Sequence, residues 1–302
     1  MKSLKTPLRY PGGKSKALTK LFQFFPDLNK YTKYFEPFLG GGSVAIEVTK
    51  RYPDLKMYVS DRYLPLVNFW CCLQQHPDYL LETLSGLKTD YDTPDKARVL
   101  FDEQKDILNS DSTNGERAVA FYVLNKCSFS GLTESSSFSK QASESNFSMR
   151  GIEKLPEYSK LIKNWKIFPW DYKVALRGDD KAPVLTGNGS FIYLDPPYDI
   201  KDNLYGKRGQ MHKSFDHDDF SRFIENIPYD TLISYNADQI VKDRFKNWRA
   251  AEFDHTYTMR SVGDYMADQS KRKELVLYNY TTDRDRELEM ASIAEGQNMV
   301  FK

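Results

Sequence analysis

The run FIYLDPPYDI, residues 191–200, constrains the fold of this chain more than any other stretch. Its apolar first half predicts a buried strand, and two prolines must end that strand, because proline cannot donate to a sheet ladder. A carboxylate, two prolines and an aromatic ring are thereby fixed at the carboxyl end of a strand, where open α/β sheets bind ligands. We therefore predict an α/β sheet with a site built around Asp195, Pro196, Pro197 and Tyr198.

A glycine loop behind an earlier strand predicts a second part of the site. In FEPFLGGGSVAIE, residues 35–47, three glycines separate an apolar strand from a helical run, and KMYVSDRY then predicts a second strand that ends in Asp61. Two strands joined by a helix behind a glycine loop form a βαβ unit. Glycine lets the backbone approach a ligand, and an acid about twenty residues further on is placed to bind ribose hydroxyls. The combination indicates a cofactor that contains adenosine.

A further glycine turn lies near the N-terminus, in LRYPGGKSK at residues 8–16. One interpretation is a surface turn before a helix. The other is a lid over the site, in which Tyr10 packs on the cofactor and Lys14 attracts a carboxylate or a phosphate.

Strands and helices alternate at both ends of the chain, and a helical block separates them. The C-terminal half has strand patterns in NWKIFPWDY, FIYLDPPY, YDTLISYN and ELVLYNY and a helical pattern in DDFSRFIENI. Residues 66–125 have helical spacing, and residues 128–148 hold nine serines in 21 positions, which predicts a loop. The predicted parts are an α/β domain of residues 1–61 and 162–280, an inserted smaller domain of residues 62–161, and a charged tail of residues 281–302.

Composition narrows the class of protein only partly. The formal net charge of +1 neither favours nor excludes nucleic acid, but the aromatic share of 14% is high, and aromatic rings are stacking surfaces for unpaired bases. The cysteines Cys71, Cys72 and Cys127 lack metal-ligand spacing, so neither a metal site nor a disulfide is predicted. The N-terminus has no apolar run typical of a signal peptide, and no stretch reaches the roughly 18 apolar residues of a membrane span. We expect a cytoplasmic location and no membrane partner.

The Asp-Pro-Pro-Tyr corner suits a reaction on the exocyclic amine of a base. Such an amine is a poor nucleophile because its lone pair is delocalised into the ring. The Asp195 carboxylate can accept from one N–H and localise that lone pair, while the carbonyl of Pro196 accepts from the other. Tyr198 can stack on the base, and the two prolines hold these groups in place. This chemistry needs neither a covalent nucleophile nor a metal.

Seven segments of the chain occur in the order seen in one enzyme family. They are RYPGGK, FEPFLGGGSVAIE, SDRY, FYVLNKCSFSGLTE, LDPPY, LISYN and SKRKELVLYNY, and they span about residues 7–280. With these segments the chain resembles the Dam-type, D12-class N6-adenine DNA methyltransferases. The resemblance implies a Rossmann-like α/β sheet with an inserted helical target-recognition domain and S-adenosyl-L-methionine (SAM) as methyl donor, with S-adenosyl-L-homocysteine as product and no metal. It also implies a monomer that flips an adenine out of double-stranded DNA.

The resemblance further implies roles for individual residues, carried over position by position. Catalysis is implied for Asp195, Pro196, Pro197 and Tyr198. SAM binding is implied for Tyr10, Lys14, Glu36, Pro37, Phe38, Gly40, Gly42, Asp61, Asp171, Tyr172 and Asp195. DNA binding is implied for Asn125, Lys126, Phe129, Ser130, Leu132 and Glu134 in a recognition hairpin and for Lys271, Arg272 and Lys273 in the SKRK run.

The recognition hairpin departs from the family pattern. Members that read GATC resemble N-R-x-x-x-N-G-L-x-R, whereas this chain has NKCSFSGLTE. Lys126 replaces the first arginine, Ser130 the second asparagine, and Glu134 the last arginine. Arginine reads guanine through two donors, but an ionised glutamate can only accept, which favours cytosine. GATC specificity therefore does not carry over, and Phe129 is either a wedge for the base stack or a packed hairpin residue.

Three other functions stay open on the sequence. A methyltransferase acting on RNA or on a protein amide would use similar Asp-Pro-Pro-Tyr chemistry, although the large inserted block favours duplex DNA. The intact residues 195–198 and Asp61 disfavour a binding protein that has lost catalysis. A nicotinamide dehydrogenase would need G-x-G-x-x-G, which the glycine loop lacks.

Overall fold

One mixed sheet organises the part of the chain that the computed structural model describes, which is residues 4–10, 12–131, 133, 137–198, 215–254 and 273–290. Its seven strands are β1 (Lys33–Glu36), β2 (Lys56–Ser60), β3 (Lys166–Phe168), β4 (Ser190–Leu194), β5 (Asp230–Asn236), β6 (Arg249–Asp254) and β7 (Lys273–Tyr278). They lie in the order β3-β2-β1-β4-β5-β7-β6, and β7 runs antiparallel to its two neighbours. The predicted α/β fold with a Rossmann-like, mostly parallel sheet is confirmed.

The order of the strands reverses between β1 and β4. The chain moves outward from β1 to β2 and β3 on one side, and from β4 to β5 on the other. Because β1 and β4 pair in parallel, with Lys33 opposite Ser190, their carboxyl ends open at the same edge of the sheet. A reversal of this kind leaves a crevice between the loops that follow the two strands. The glycine loop and the Asp-Pro-Pro-Tyr corner, predicted from separate stretches, both leave the sheet at this crevice.

Helices cover both faces of the sheet and form the block between β2 and β3. They are α1 (Leu18–Leu21), α2 (Ser43–Arg51), α3 (Leu64–Gln75), α4 (Pro77–Asp90), α5 (Pro94–Leu108), α6 (Asn114–Cys127), α7 (Lys140–Ser145), α8 (Met149–Ile152), α9 (Leu155–Ile162), α10 (Tyr172–Arg177), α11 (His217–Glu225) and α12 (Gln239–Arg244). Residues 283–290 of the predicted tail are also helical. In the described ranges, no helix combines the length and the apolar character that a membrane span requires.

The helical block shares its hydrophobic core with one face of the sheet. Phe69 and Trp70 of α3 belong to the same buried cluster as Tyr34 of β1 and Met57 of β2. The indole of Trp70 donates to the carbonyl of Gly40 in the glycine loop at 3.2 Å. The block from α3 to α9 therefore packs directly behind the crevice, while its assignment as a separate recognition domain stays a prediction.

Two elements differ from the sequence prediction. The serine-rich segment predicted as a loop contains α7, which begins after Ser139 because that side chain accepts from the backbone N–H of Ala142 and caps the helix. No strand was expected over β6, which lies at the edge of the sheet and is largely exposed. An edge strand buries little apolar surface, so its sequence carries little strand signal.

Candidate active site

A cavity of about 270 Å³ opens at the crevice where the strand order reverses. Its walls come from the N-terminal glycine turn, the glycine loop after β1, the residues that follow β2 and β4, and the start of α10. The predicted cofactor residues Tyr10, Lys14, Glu36, Pro37, Phe38, Gly40, Gly42, Asp61, Asp171, Tyr172 and Asp195 all line it. Residues that are up to 185 positions apart in the sequence are thus brought together around one cavity.

The glycine loop is held between two aromatic side chains, Tyr10 and Trp70. Gly40 and Gly42 have φ angles of +48° and +66°, a region that L side chains rarely adopt. A Cβ atom on Gly42 would lie 2.8 Å from Cζ2 of Trp70, and one on Gly41 would lie 2.9 Å from Cβ of Tyr10. The loop therefore requires glycine for its conformation and its packing, and its backbone lines the cavity.

Asp61 follows β2 and lines the cavity beside the glycine loop. Its Oδ2 accepts from the backbone N–H of Gly40 at 2.9 Å, and its Oδ1 accepts from that of Tyr63 at 2.9 Å. Burial raises the pKa of Asp61 to about 6, although these hydrogen bonds act in the opposite direction. Because each carboxylate oxygen has a second lone pair, Asp61 can also accept from a ligand hydroxyl.

An aromatic wall forms another side of the cavity. The rings of Phe38 and Tyr172 stack with centroids 5.6 Å apart, and Phe215 packs on both, at 5.9 Å and 6.0 Å. Asp171 caps α10, since its carboxylate accepts from the backbone N–H groups at the start of that helix. A wall of this kind can hold a flat ring system such as adenine.

A buried ion pair between Lys14 and Asp195 borders the same cavity. The Nζ atom of Lys14 lies 2.7 Å from each oxygen of Asp195 and 2.9 Å from the carbonyl oxygen of Gly12. The Lys14 side chain is 1% exposed and that of Asp195 is 22% exposed. Burial raises the pKa of Asp195 to about 6, while the charge of Lys14 lowers it. At neutral pH Asp195 is therefore an ionised hydrogen-bond acceptor.

Tyr198 lies beside the ion pair. Its hydroxyl donates to Oε1 of Glu274 at 2.5 Å, and the Nζ atom of Lys14 lies 5.0 Å from the centroid of its ring. Pro196 is buried, and Pro197 lines the cavity. The corner predicted from residues 195–198 thus presents the Asp195 carboxylate to the cavity, and the Tyr198 ring packs beside the ion pair.

Several residues that border the site were not predicted from the sequence, and three of them bear on its chemistry. Phe215 and Lys173 line the cavity, and Oε1 of Glu274 lies 3.5 Å from Nζ of Lys14. Glu274 leaves a signal in the sequence, because it is a charged residue at the start of an apolar strand. Phe215 leaves none, since it precedes α11 without a recognisable pattern and only the fold brings it to the cleft.

Asn125, the first residue of the predicted recognition hairpin, is enclosed by the protein. It is fully buried near the end of α6. Its Oδ1 accepts from the backbone N–H of Arg9 at 2.9 Å, and its Nδ2 donates to the carbonyl oxygens of Arg9 at 2.6 Å and Gly131 at 3.2 Å. These hydrogen bonds join the N-terminal segment to the hairpin, and a contact of Asn125 with DNA stays a prediction.

Lys126 and Phe129 lie at the same end of α6. Phe129 is 41% exposed. Lys126 is half-buried, and its Nζ lies 5.2 Å from the centroid of the Tyr122 ring. Burial, together with the nearby charge of Arg9, lowers the pKa of Lys126 to about 8. Leu132, Glu134 and the side chain of Ser130 lie outside the described residues.

Of the predicted basic run, Lys271 and Arg272 also lie outside the described residues. Lys273 begins β7, and its side chain is 54% exposed, with Nζ 3.4 Å from Oε2 of Glu252. Contacts of Lys273 with DNA stay a prediction. Among the residues that the structure describes, no cluster of histidine, cysteine, aspartate and glutamate could hold a metal ion.

Several known methyltransferases are similar to this chain in sequence. The chain is 29% identical over 203 residues to the type II methyltransferase M.MjaIII of Methanocaldococcus jannaschii, a match that covers 63% of this chain and 68% of that protein. It is 21% identical over 285 residues to the type II methyltransferase M1.LlaDCHI of Lactococcus lactis subsp. cremoris, covering 90% and 94% of the two chains. It is 28% identical over 222 residues to the DNA N-6-adenine-methyltransferase of Escherichia phage P1, covering 72% of this chain and 27% of that protein.

A family profile covers most of the chain and includes the whole crevice. It is described as D12 class N6 adenine-specific DNA methyltransferase, and it matches residues 10–259. The matched region runs from Tyr10, through the glycine loop and the Asp-Pro-Pro-Tyr corner, to just beyond β6. The chain therefore belongs to the D12 class N6 adenine-specific DNA methyltransferase family.

Proposed function

We propose that this adenine-specific DNA methyltransferase takes SAM as its methyl donor in the cavity and acts on an adenine flipped out of double-stranded DNA. The observation that carries the proposal is the position of the Lys14–Asp195 pair, which borders the same cavity as the glycine loop and Asp61. This shared border supports the proposal, because direct transfer requires the cofactor and the target base to be bound side by side.

The residues of the cavity fit SAM. The backbone of the glycine loop, which accepts no Cβ at Gly42, lines one wall. Asp61 would accept from the ribose hydroxyls, and the stacked rings of Phe38 and Tyr172 would hold the adenine. When bound, SAM supplies an electrophilic methyl group on a sulfonium.

The corner of residues 195–198 would hold the target amine. Asp195 accepts from one N–H of the adenine N6 group and the carbonyl of Pro196 accepts from the other, which localises the lone pair on nitrogen. Lys14 keeps Asp195 ionised near neutral pH, because its ammonium lies 2.7 Å from both carboxylate oxygens. The ring of Tyr198 stacks on the base. After transfer the extra proton on N6 leaves to solvent.

We infer base flipping from the position of Asp195, which lies inside the cavity and not at the surface of the protein. The side chain of Asp195 is 22% exposed and borders a cleft, so the N6 group of a base stacked within a duplex cannot reach it. Phe129 is exposed at the end of α6, and we expect the helical block to face the duplex there. A monomer is expected from the family resemblance alone. The recognition sequence is not assigned, and GATC is not carried over because the hairpin differs at Lys126.

Methyl transfer from labelled SAM to unmethylated duplex DNA tests the proposal, with single-molecule sequencing to map N6-methyladenine. We expect a short recurring motif for the wild type, and for Asp195→Ala we expect no transfer but retained DNA binding. An equal amount of RNA serves as a parallel substrate. Label in RNA or in protein alone would contradict the proposed substrate, and near-wild-type turnover by Asp195→Ala would contradict the proposed chemistry.

A further inference from the structure

Glu274 is a buried carboxylate for which the proposed chemistry has no use. It lies in β7 and is 0% exposed. A carboxylate removed from water is costly unless it is paired and hydrogen-bonded. A buried acid next to an active site therefore needs a physical explanation.

The sheet brings Glu274 to the reactive edge. β7 is antiparallel to β5, so its first residues lie at the edge where β1 and β4 end. Side chains alternate between the two faces of a strand, so a residue shares its face with the residue two positions away. The residues two positions from Glu36, Asp195 and Glu274 all pack in one core cluster. These residues are Tyr34, Tyr193 and Val276. The three acids thus share one face and one edge of the sheet, which is the face that Lys14 covers.

Glu274 contacts both groups that flank Asp195. Its Oε1 accepts from the Tyr198 hydroxyl at 2.5 Å, and the same atom lies 3.5 Å from Nζ of Lys14. Lys14 in turn holds both oxygens of Asp195 at 2.7 Å. Oε1 of Glu274 is therefore shared between the Tyr198 hydroxyl and the Lys14 ammonium.

We propose that Glu274 is a positioning residue for methyl transfer, which fixes the Tyr198 ring and the Lys14 ammonium so that Asp195 meets the target amine in one geometry. The inference rests on the proposed function. Without Glu274, the Tyr198 hydroxyl loses the acceptor that fixes its direction, and Lys14 loses its second carboxylate. A misplacement of about 1 Å at a reacting centre can reduce the rate roughly 100-fold.

The charges around Asp195 provide a readout that separates positioning from simple packing. The titratable groups that act on Asp195 are Lys14, Glu36, Glu274, Tyr193 and Tyr198. The negative charge of Glu274 raises the pKa of Asp195. Glu274→Gln keeps the shape and an oxygen acceptor but removes this charge, so the pKa of Asp195 should fall.

The experiment measures kcat, KM for DNA, SAM affinity and the pH profile of kcat for the wild type, Glu274→Gln, Glu274→Ala and Tyr198→Phe, and for Glu274→Gln combined with Tyr198→Phe. Glu47→Gln is the matched control, because Glu47 also contacts two cations, Lys50 and Arg51, but on α2 and away from the cavity. Thermal unfolding shows whether each variant is folded.

We expect kcat to fall about 100-fold in Glu274→Ala and less in Glu274→Gln, with SAM affinity unchanged. The acid limb of the profile should move to lower pH in Glu274→Gln and not in Glu47→Gln. The double variant should lose less than the product of the single losses, because both changes break one contact. Wild-type kcat and an unmoved acid limb in Glu274→Gln would overturn the inference, as would fully multiplicative losses. A wild-type protein that transfers no methyl group to DNA would instead refute the proposed function.

Discussion

Replacing Lys14 by methionine tests the buried ion pair directly. Methionine is close to lysine in length but carries no charge, so Lys14→Met leaves Asp195 and Glu274 without this partner. The Lys14 side chain is 1% exposed and lies 2.7 Å from Asp195 and 3.5 Å from Glu274. Removing one partner of a buried pair costs about 3–5 kcal/mol, because the remaining charge is left in a medium that solvates it poorly.

The loss should depend on pH with a defined sign. Burial already raises the pKa of Asp195 in the folded protein to about 6, and Lys14 lowers it. In Lys14→Met that pKa rises further, so the folded state of the variant binds a proton more tightly than the unfolded chain does. The stability lost at pH 8 should therefore be partly regained at pH 5, where Asp195 is protonated. Lys14 itself stays charged across this window in the wild type, because burial lowers its pKa but the charges of Asp195 and Glu274 outweigh this and raise the pKa above 10.5.

Urea unfolding followed by tryptophan fluorescence at pH 8 and pH 5 measures both effects. At pH 8 the thermal midpoint should also fall by roughly 5–8 °C, because an unfolding entropy of about 2.1 cal/mol/K per residue gives about 1.6 °C per kcal/mol for 302 residues. Lys96→Met is the control, because Lys96 pairs with Asp92 on the surface and its loss should not move the midpoint. An equal loss at the two pH values, or a loss of less than about 1 kcal/mol at pH 8, would refute the reasoning.

Three further outcomes are expected. Gly42→Ala should destabilise the fold and weaken SAM binding in titration calorimetry, because φ is +66° and the new Cβ would lie 2.8 Å from Trp70. The control is Gly86→Ala in helix α4, where the new Cβ would have nothing within 4 Å; it should increase the free energy of unfolding by about 0.5–1 kcal/mol. Asn125→Ala should cost about 1–3 kcal/mol in urea unfolding, because it leaves buried backbone groups unpaired. It should also weaken duplex binding in fluorescence anisotropy, and unchanged binding would contradict a role of the Asn125–Arg9 contact in DNA binding. The kcat of the wild type should fall as pH drops below about 6, where Asp195 takes up a proton; a rate that is flat to pH 5 would exclude ionised Asp195 as the acceptor.

The parts of the site that follow from local sequence were predictable. Two prolines must end a strand, so the position of Asp195 at a strand end follows from chemistry alone. Three glycines before a helix and Asp61 after the next strand likewise predict a ligand loop, and the structure brings these segments to one crevice.

The parts that depend on pairing between distant segments were not predictable. Glu274 reaches the site because β7 runs antiparallel, a property of the topology that its own residues do not specify. Asn125 follows the family pattern in the sequence, but its hydrogen bonds with the backbone of Arg9, which is 116 positions away, depend on the fold. The strand β6 was missed because an edge strand has few buried positions to reveal it.

The packing of Trp70 against Gly42 limits how this enzyme can be redesigned. In a modular enzyme, an inserted recognition domain can be exchanged at the two points where the chain enters and leaves it. This requires that the catalytic domain folds without it. Here helix α3, the first helix of the block, supplies the indole on which the glycine loop rests, and the core continues from that helix into the sheet. A chimera in which the exchanged part begins at residue 62 would lose Trp70, which packs against the glycine loop. Grafts should keep α3, and also α6, because Asn125 of α6 holds the backbone of Arg9 next to Tyr10, which packs on Gly41. On the prediction that the block reads DNA, altered specificity is best sought outside these two helices.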